Sequence, residues 1–236
     1  MNININLNIN IMNICIILRG ENIRYPVIDR KYIDILQCWN NIKKTIYDDL
    51  IQNNYNCDFA FVTYPSEIIE KIQETIKPKY MILNEKISQI HNFNDVISFM
   101  KEHEKNYDKF VILRCDFTYR IPITKWPKWD EKGIIIVNKD VHWNTMKLYS
   151  DILFICDSNY IDIFYDAYNL EIFNGTLHSF GKNLLNMNKP FHLMYDEYYH
   201  MNNHPLHCLA SQEEEPDIDN PKYIEPLTNE QISQFN

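Results

Sequence analysis

At 236 residues, with 45% hydrophobic and 23% charged side chains, the chain has the size and make-up of one large globular domain or two small ones. A formal charge of −9 argues against a general nucleic-acid binder, which needs a basic face to displace phosphate counterions. It leaves room for a small anion, because a few local arginines or a helix N-terminus suffice to hold one.

Six cysteines at positions 15, 38, 57, 115, 156 and 208 show no CxxC spacing, and Cys15, Cys115 and Cys156 fall inside apolar runs. They are expected to be reduced core thiols of a cytoplasmic protein. No apolar run approaches the ~18–20 residues of a membrane span. The N-terminus lacks the basic stretch and apolar core of a secretory leader.

Residues 1–13, MNININLNINIMN, are low in complexity and are expected to form a tail or an edge strand. The run 14–19 (ICIILR), ended by Gly20, has the pattern of a strand buried on both faces. Ile35, Leu36, Trp39, Ile42, Ile46 and Leu50 recur at helical spacing within 31–52. A second strand is expected at 58–64, a helix capped by Ser66 and reaching Ile76, and a third strand at 79–84. A helix capped by Asn92 or Asn94 leads to a fourth buried strand at 109–115.

Beyond a loop rich in proline and tryptophan come strands at 133–138 and 151–157 and helices at 161–168 and 177–185. Residues 210–222 are acidic and broken by proline. Strand–helix alternation predicts an α/β domain over 14–209: a mostly parallel sheet with helices on both faces, followed by an acidic segment at 210–236. Ligands of such sheets bind in the crevice at the carboxyl ends of the strands. In this chain those ends are Arg19-Gly20-Glu21, Thr63-Tyr64 and Arg114-Cys115-Asp116.

The segment YDKFVILRCDFTYR (107–120) ends a buried strand with an arginine and an aspartate two residues apart, on one face by strand periodicity. Arginine suits phosphate charge, and a carboxylate suits a divalent metal bridging phosphates. The same pair would serve equally as a salt bridge closing the sheet edge, and spacing leaves both open. Gly20 would let the backbone approach a ligand that Arg19 could meet, and Thr63 could bond a nucleoside. Asp151 is a candidate general base, as are Asp196 and Glu197.

Tyr107-Asp108, Arg114-x-Asp116-Phe117 and Lys125-Trp126 together resemble a pattern in glycosyltransferase-like proteins of large DNA viruses and algae. IILRGENIR (16–24), Thr63-Tyr64, Ser150 to Phe154 and Asn220-Pro221-x-Tyr223 fit the same pattern in order. The resemblance covers most of 14–224. It implies a GT-A, nucleotide-diphosphosugar-transferase-like fold and transfer of a sugar from a UDP- or GDP-sugar to a glycan or glycoprotein. For a viral member the location would be the host cytoplasm.

The resemblance also implies Mn²⁺ or Mg²⁺ at Asp116, bound mainly through the donor's diphosphate. Arg114-Cys115-Asp116 departs from the DxD of such enzymes, which leaves metal dependence open. Two rivals stand beside this reading: a nucleotidyltransferase and an inactive nucleotide-sugar-binding domain. His200, His204, His207 and Cys208 suggest zinc by spacing, but Pro205 interrupts any helix there. Trp126, Trp129 and Trp143 could stack on acceptor sugars or simply fill the core.

Overall fold

A computed structural model describes residues 11–24, 32–142, 146–171, 177–199, 204–209 and 224–233. The chain enters through β1 (Asn13–Arg19), then a short ribbon of β2 (Ile23–Arg24) and β3 (Ile33–Asp34). Helix α1 (Ile35–Ile42) continues through a π-helical stretch (Lys43–Asp48) into α2 (Asp49–Gln52). There follow β4 (Asn56–Thr63), α3 (Ile69–Ile76), β5 (Tyr80–Leu83), α4 (Gln89–His103) and β6 (Lys109–Arg114).

The second half brings β7 (Phe117–Tyr119), β8 (Ile134–Ile136), β9 (Lys139–His142), β10 (Met146–Tyr149) and β11 (Leu153–Asp157). Helices α5 (Ile161–Glu171) and α6 (Phe180–Asn186) follow, then β12 (His192–Leu193), β13 (Tyr198–Tyr199), β14 (His207–Leu209) and α7 (Asn229–Ser233).

Seven strands make the central sheet in the order β12-β8-β11-β6-β1-β4-β5. β1 is parallel to both neighbours, β4 is parallel to β5 and β8 to β12, while β11 runs antiparallel between β6 and β8. The expected mostly parallel sheet is therefore present. Its order contains a switch: the chain moves from β1 outward through β4 to β5, then returns to place β6 on the other side of β1. Adjacent connections leave β1 and β6 in opposite directions, which opens a crevice outside their carboxyl ends.

Alternation along the strands explains the helices on both faces. Ile14, Ile16 and Leu18 enter one core with Phe59, Phe61, Val111 and Leu113, covered by Ile35, Trp39, Ile42 and Ile46 of the first helical segment. Cys15 and Ile17 enter the other with Ala60, Val62, Phe110 and Ile112, beneath Phe93 and Met100 of α4 and Phe164 of α5. Period-two side chains on a sheet buried on both sides leave no polar face, hence the unbroken apolar runs. Cys15, Cys38, Cys57, Cys115 and Cys156 are buried. No helix among the described residues is long and apolar enough to cross a membrane.

Several boundaries differ from expectation for local reasons. The first helix starts at Ile35 rather than Lys31 because the Asp34 side chain accepts the Gln37 amide and caps it. Thr45 donates its hydroxyl to the Asn41 carbonyl (2.7 Å) beside the π-helical stretch, a competition with the helix ladder typical of such widened turns. Ser66 meets the Ile68 amide (3.4 Å) but lies outside α3.

Ser88, not Asn92 or Asn94, caps α4. Asn92 is instead fully buried, donating to the Val62 carbonyl (2.8 Å) and to Asn84 Oδ1 (2.9 Å). Asn13, assigned to the low-complexity tail by sequence, belongs to the central strand. Residues 1–10 and 210–223, with most of the tail and of the acidic segment, lie outside the described residues.

Buried Asn41 acts as a surrogate strand edge for β7: its amide donates to the Tyr119 carbonyl (2.9 Å), and its Oδ1 accepts the Tyr119 amide (2.6 Å). Removing it orphans two buried backbone groups at about 1–3 kcal/mol each. Asn41→Ala is expected to lower unfolding stability by about 2–5 kcal/mol, measured by chemical denaturation.

Candidate functional site

Parallel pairing sets Arg19 of β1 directly beside Arg114 of β6, and Val62 of β4 on the other side. The chain must then turn sharply away from the sheet. Gly20 does so at φ 107°, a conformation that disfavours any side chain, and its amide still reaches the Val62 carbonyl (3.2 Å). Thr63 donates its hydroxyl to the Gly20 carbonyl (2.8 Å). The Cys115 amide donates to the Arg19 carbonyl (3.1 Å), and its thiol to the Glu21 carbonyl (3.0 Å). Three strand ends are thereby laced into one rigid rim.

Beneath the rim lies a chain of charges. Asp116 accepts Arg114 at both oxygens, Nε to Oδ1 (3.0 Å) and Nη2 to Oδ2 (2.8 Å), and Oδ2 also takes Arg24 Nη1 (2.5 Å). Arg114 Nη1 lies 3.5 Å from Asp151 Oδ1, and His178 Nε2 lies 3.8 Å from the same oxygen. Gln89 donates to Asp151 Oδ2, and Arg19 donates to the Asp151 backbone carbonyl. Arg19 is 1% exposed, its guanidinium carbon 4.9 Å from the centre of the Phe93 ring, and its Nε has no hydrogen-bond partner among the described residues.

The ionisation of these groups follows. Burial alone would raise both carboxyls, but His178, Arg114 and Arg19 hold Asp151 well below the usual carboxylate range. Arg114 and Arg24 likewise overcome the burial of Asp116 and lower it. Burial, offset in part by Asp151, depresses the Arg19 guanidinium to about 10. Cys115 is pushed up by burial and then by Asp116, which keeps it a thiol.

Above this network opens a cavity of about 150 Å³ lined by Arg19, Gly20, Glu21, Arg24, Arg114 and Asp116, with Tyr64, Gln89 and Asn92 completing it. Gln89 opens α4, so the first turn of a 15-residue helix borders the site. The five expected residues Arg19, Gly20, Thr63, Arg114 and Asp116 do come together, with different roles. Thr63 is fully buried and shapes the Gly20 loop, so it does not present its hydroxyl to a nucleoside.

Asp116 does not fit the expected metal ligand, since two guanidiniums already occupy its oxygens. Among the described residues no group of three His, Cys, Asp or Glu side chains could hold a metal ion. Asp151 is 1% exposed and held as an ion-paired carboxylate below the crevice, which suits a structural counter-ion and not a general base. Glu197 and Asp196 are exposed between β12 and β13 and do not line the crevice.

Trp126 and Trp129 are buried in the core and neither lines the crevice at the strand ends; Trp143 lies outside the described residues. His204 and His207 are fully buried and stack at 4.6 Å, with burial and the neighbouring His207 and Arg120 driving His204 to its neutral form. His207 and Cys208 lie in β14, His204 precedes it, and His200 is outside the described residues. A larger cavity of about 520 Å³ lies at the opposite end of the sheet, against Asn13, Lys109 and Trp129.

Sequence reasoning overlooked Arg24, Gln89, Asn92 and His178. Arg24 carried a signal, standing five residues beyond Arg19 in the same strand-end loop. The other three gave none, because their place depends on how α4 and the segment before α6 fold back.

No family model matches the chain, and no curated protein matches it. Among solved structures it is similar to a protein described as a nucleotide-diphospho-sugar transferase from Desulfovibrio desulfuricans G20. That match has a TM-score of 0.43 at 11% identity and covers 76% of this chain and 80% of the other. A 4-diphosphocytidyl-2C-methyl-D-erythritol synthase matches with a TM-score of 0.47 at 9% identity, over 79% and 89% of the two chains. The synthase of that name from Anaerococcus prevotii DSM 20548 gives 0.47 at 10% identity, over 80% and 87%. Likeness at this level carries no argument about function, which rests on the chain's own residues.

Because Asp116 and Asp151 are lowered in the folded state, each adds stability that is complete above the ordinary carboxylate value of about 3.9 and fades as the pH falls below it. Denaturation curves at several pH values should show stability dropping below about pH 4. Asp151→Asn should cost about 3–5 kcal/mol near neutrality, by leaving buried arginines uncompensated, and should flatten that acid limb.

Proposed function

We propose that the chain is a glycosyltransferase that moves a sugar from a UDP- or GDP-sugar to a glycan or glycoprotein acceptor. The observation that carries this reading is the meeting of three guanidiniums at the switch point of the sheet, around a glycine turn that lets a ligand approach the backbone. Departure of a nucleoside diphosphate develops negative charge on phosphate oxygens, and fixed cations aimed at that charge lower the barrier. A cavity of about 150 Å³ takes the diphosphate, while base and sugar extend over its rim, since whole small-molecule sites run to roughly 300–1,000 Å³.

Attack on the sugar needs a group to accept the acceptor's proton. Glu21 lines the crevice, is exposed, and has no ion-pair partner among the described residues. It takes the role first expected of Asp151. The burial of Asp151 favours a second reading, a nucleotide-sugar-binding domain without transfer, and turnover by the unaltered protein decides between the two.

UDP or GDP at roughly a hundred times its dissociation constant should stabilise the fold by about 2.7 kcal/mol, a rise of about 5–10 °C in melting temperature. No shift with either nucleotide would remove the proposal. Glu21→Gln should keep that shift and slow transfer by about 10²–10⁴-fold, read from kcat with each candidate donor. Unchanged kcat would rule Glu21 out as the base. Donor binding with no transfer by the unaltered protein would favour the binding-only reading.

A further inference from the structure

The carboxylate expected to hold a cation is already engaged. Asp116 is 6% exposed; its Oδ1 takes Arg114 Nε, and its Oδ2 takes Arg114 Nη2 and Arg24 Nη1, all within 3.0 Å. A divalent cation would have to approach those oxygens to about 2.0–2.1 Å, against two fixed positive charges. Asp151, the next carboxylate, is turned to Arg114, His178 and Gln89 beneath the floor. Asp151 Oδ1 accepts no hydrogen bond among the described residues, yet the side chain is 1% exposed and does not line the crevice, so neither acid presents a free oxygen to a cation there.

The guanidiniums, in contrast, have donors to spare. A guanidinium carries five N–H groups. Arg24 spends one of them on Asp116, its side chain is 25% exposed, and it lines the crevice. Arg19 Nε is buried without a hydrogen-bond partner among the described residues. Three guanidiniums meet the carboxylates of Asp116 and Asp151 in this cluster, and Glu21 is the further carboxylate on the crevice rim, so what the crevice offers a phosphate is N–H donors and not a net charge.

We propose that this chain holds the donor's diphosphate without a divalent cation, on the guanidiniums of Arg24 and Arg114, with Asp116 as the positioning residue that aims both. The inference rests on the nucleotide-sugar reading above. In it the two arginines supply the charge neutralisation, through forked donors that match phosphate oxygens. Asp116 contributes by fixing their planes before the ligand arrives, so little side-chain freedom is lost on binding.

Calorimetric titration of the full chain with UDP and with GDP, each in EDTA and in Mn²⁺, tests this. The expected result is binding of one nucleotide in EDTA, with Mn²⁺ changing its affinity by less than about twofold. Arg24→Gln should weaken that nucleotide by about 10–100-fold in EDTA and leave the corresponding nucleoside unaffected, a contrast that a general loss of structure would not produce. Arg24→Lys should recover part of the loss, because charge returns without the fork.

Binding that appears only with Mn²⁺ would overturn the inference and leave the nucleotide reading standing. Absence of binding under both conditions would take away the nucleotide reading itself, and the inference with it. Equal weakening of nucleotide and nucleoside by Arg24→Gln would refute the phosphate role of Arg24.

Discussion

Two aspartates and three arginines share one buried patch under the carboxyl ends of β1 and β6, and neither half of the molecule completes it alone. Arg19 and Arg114 come from the parallel strands of the first half, Asp151 from the turn before antiparallel β11, and Arg24 from the ribbon that follows β1. Isolated ions at such depth would cost several kcal/mol apiece, so each is tolerable only while its partners are in place. The network therefore couples the packing of the second half to the strand ends of the first. His178, at the start of the segment leading into α6, joins through the same Asp151 oxygen.

That constraint also shapes the crevice. Asp116 and Asp151 engage the arginines below the surface, and Arg24 and Arg114 also line the opening, with Glu21 on its rim. Gly20 makes the sharp turn at the rim, and Thr63 and Cys115 tie down the loop through its carbonyls. Arg114 and Asp116 are ion-paired and also line the crevice, so under the proposed function a stability role and a binding role would coexist in them.

The sheet was legible because it is buried on both faces: runs such as ICIILR and KFVILR have no solvated face to interrupt them. The convergence of Arg19 with Arg114–Asp116 was legible from the same runs, since parallel strands end together. What could not be read were contacts made by residues far apart in sequence. Asp151 looks like a turn acid in a linear reading, and only the pairing of β11 with β6 shows that it is sealed against Arg114. Trp126 and Trp129 look like sugar platforms until the turn after β7 carries them into the core. The β9–β10 pair escaped notice because KDVH offers one apolar residue and no alternation to follow.

The most direct test of the central claim is a crystal structure of the chain grown with UDP or GDP, whichever raises its melting temperature. The account predicts the diphosphate in the crevice between the ends of β1 and β6, within hydrogen-bond distance of Arg24 and Arg114. A nucleotide seated in the larger cavity against Lys109 and Trp129, at the far end of the sheet, would contradict it.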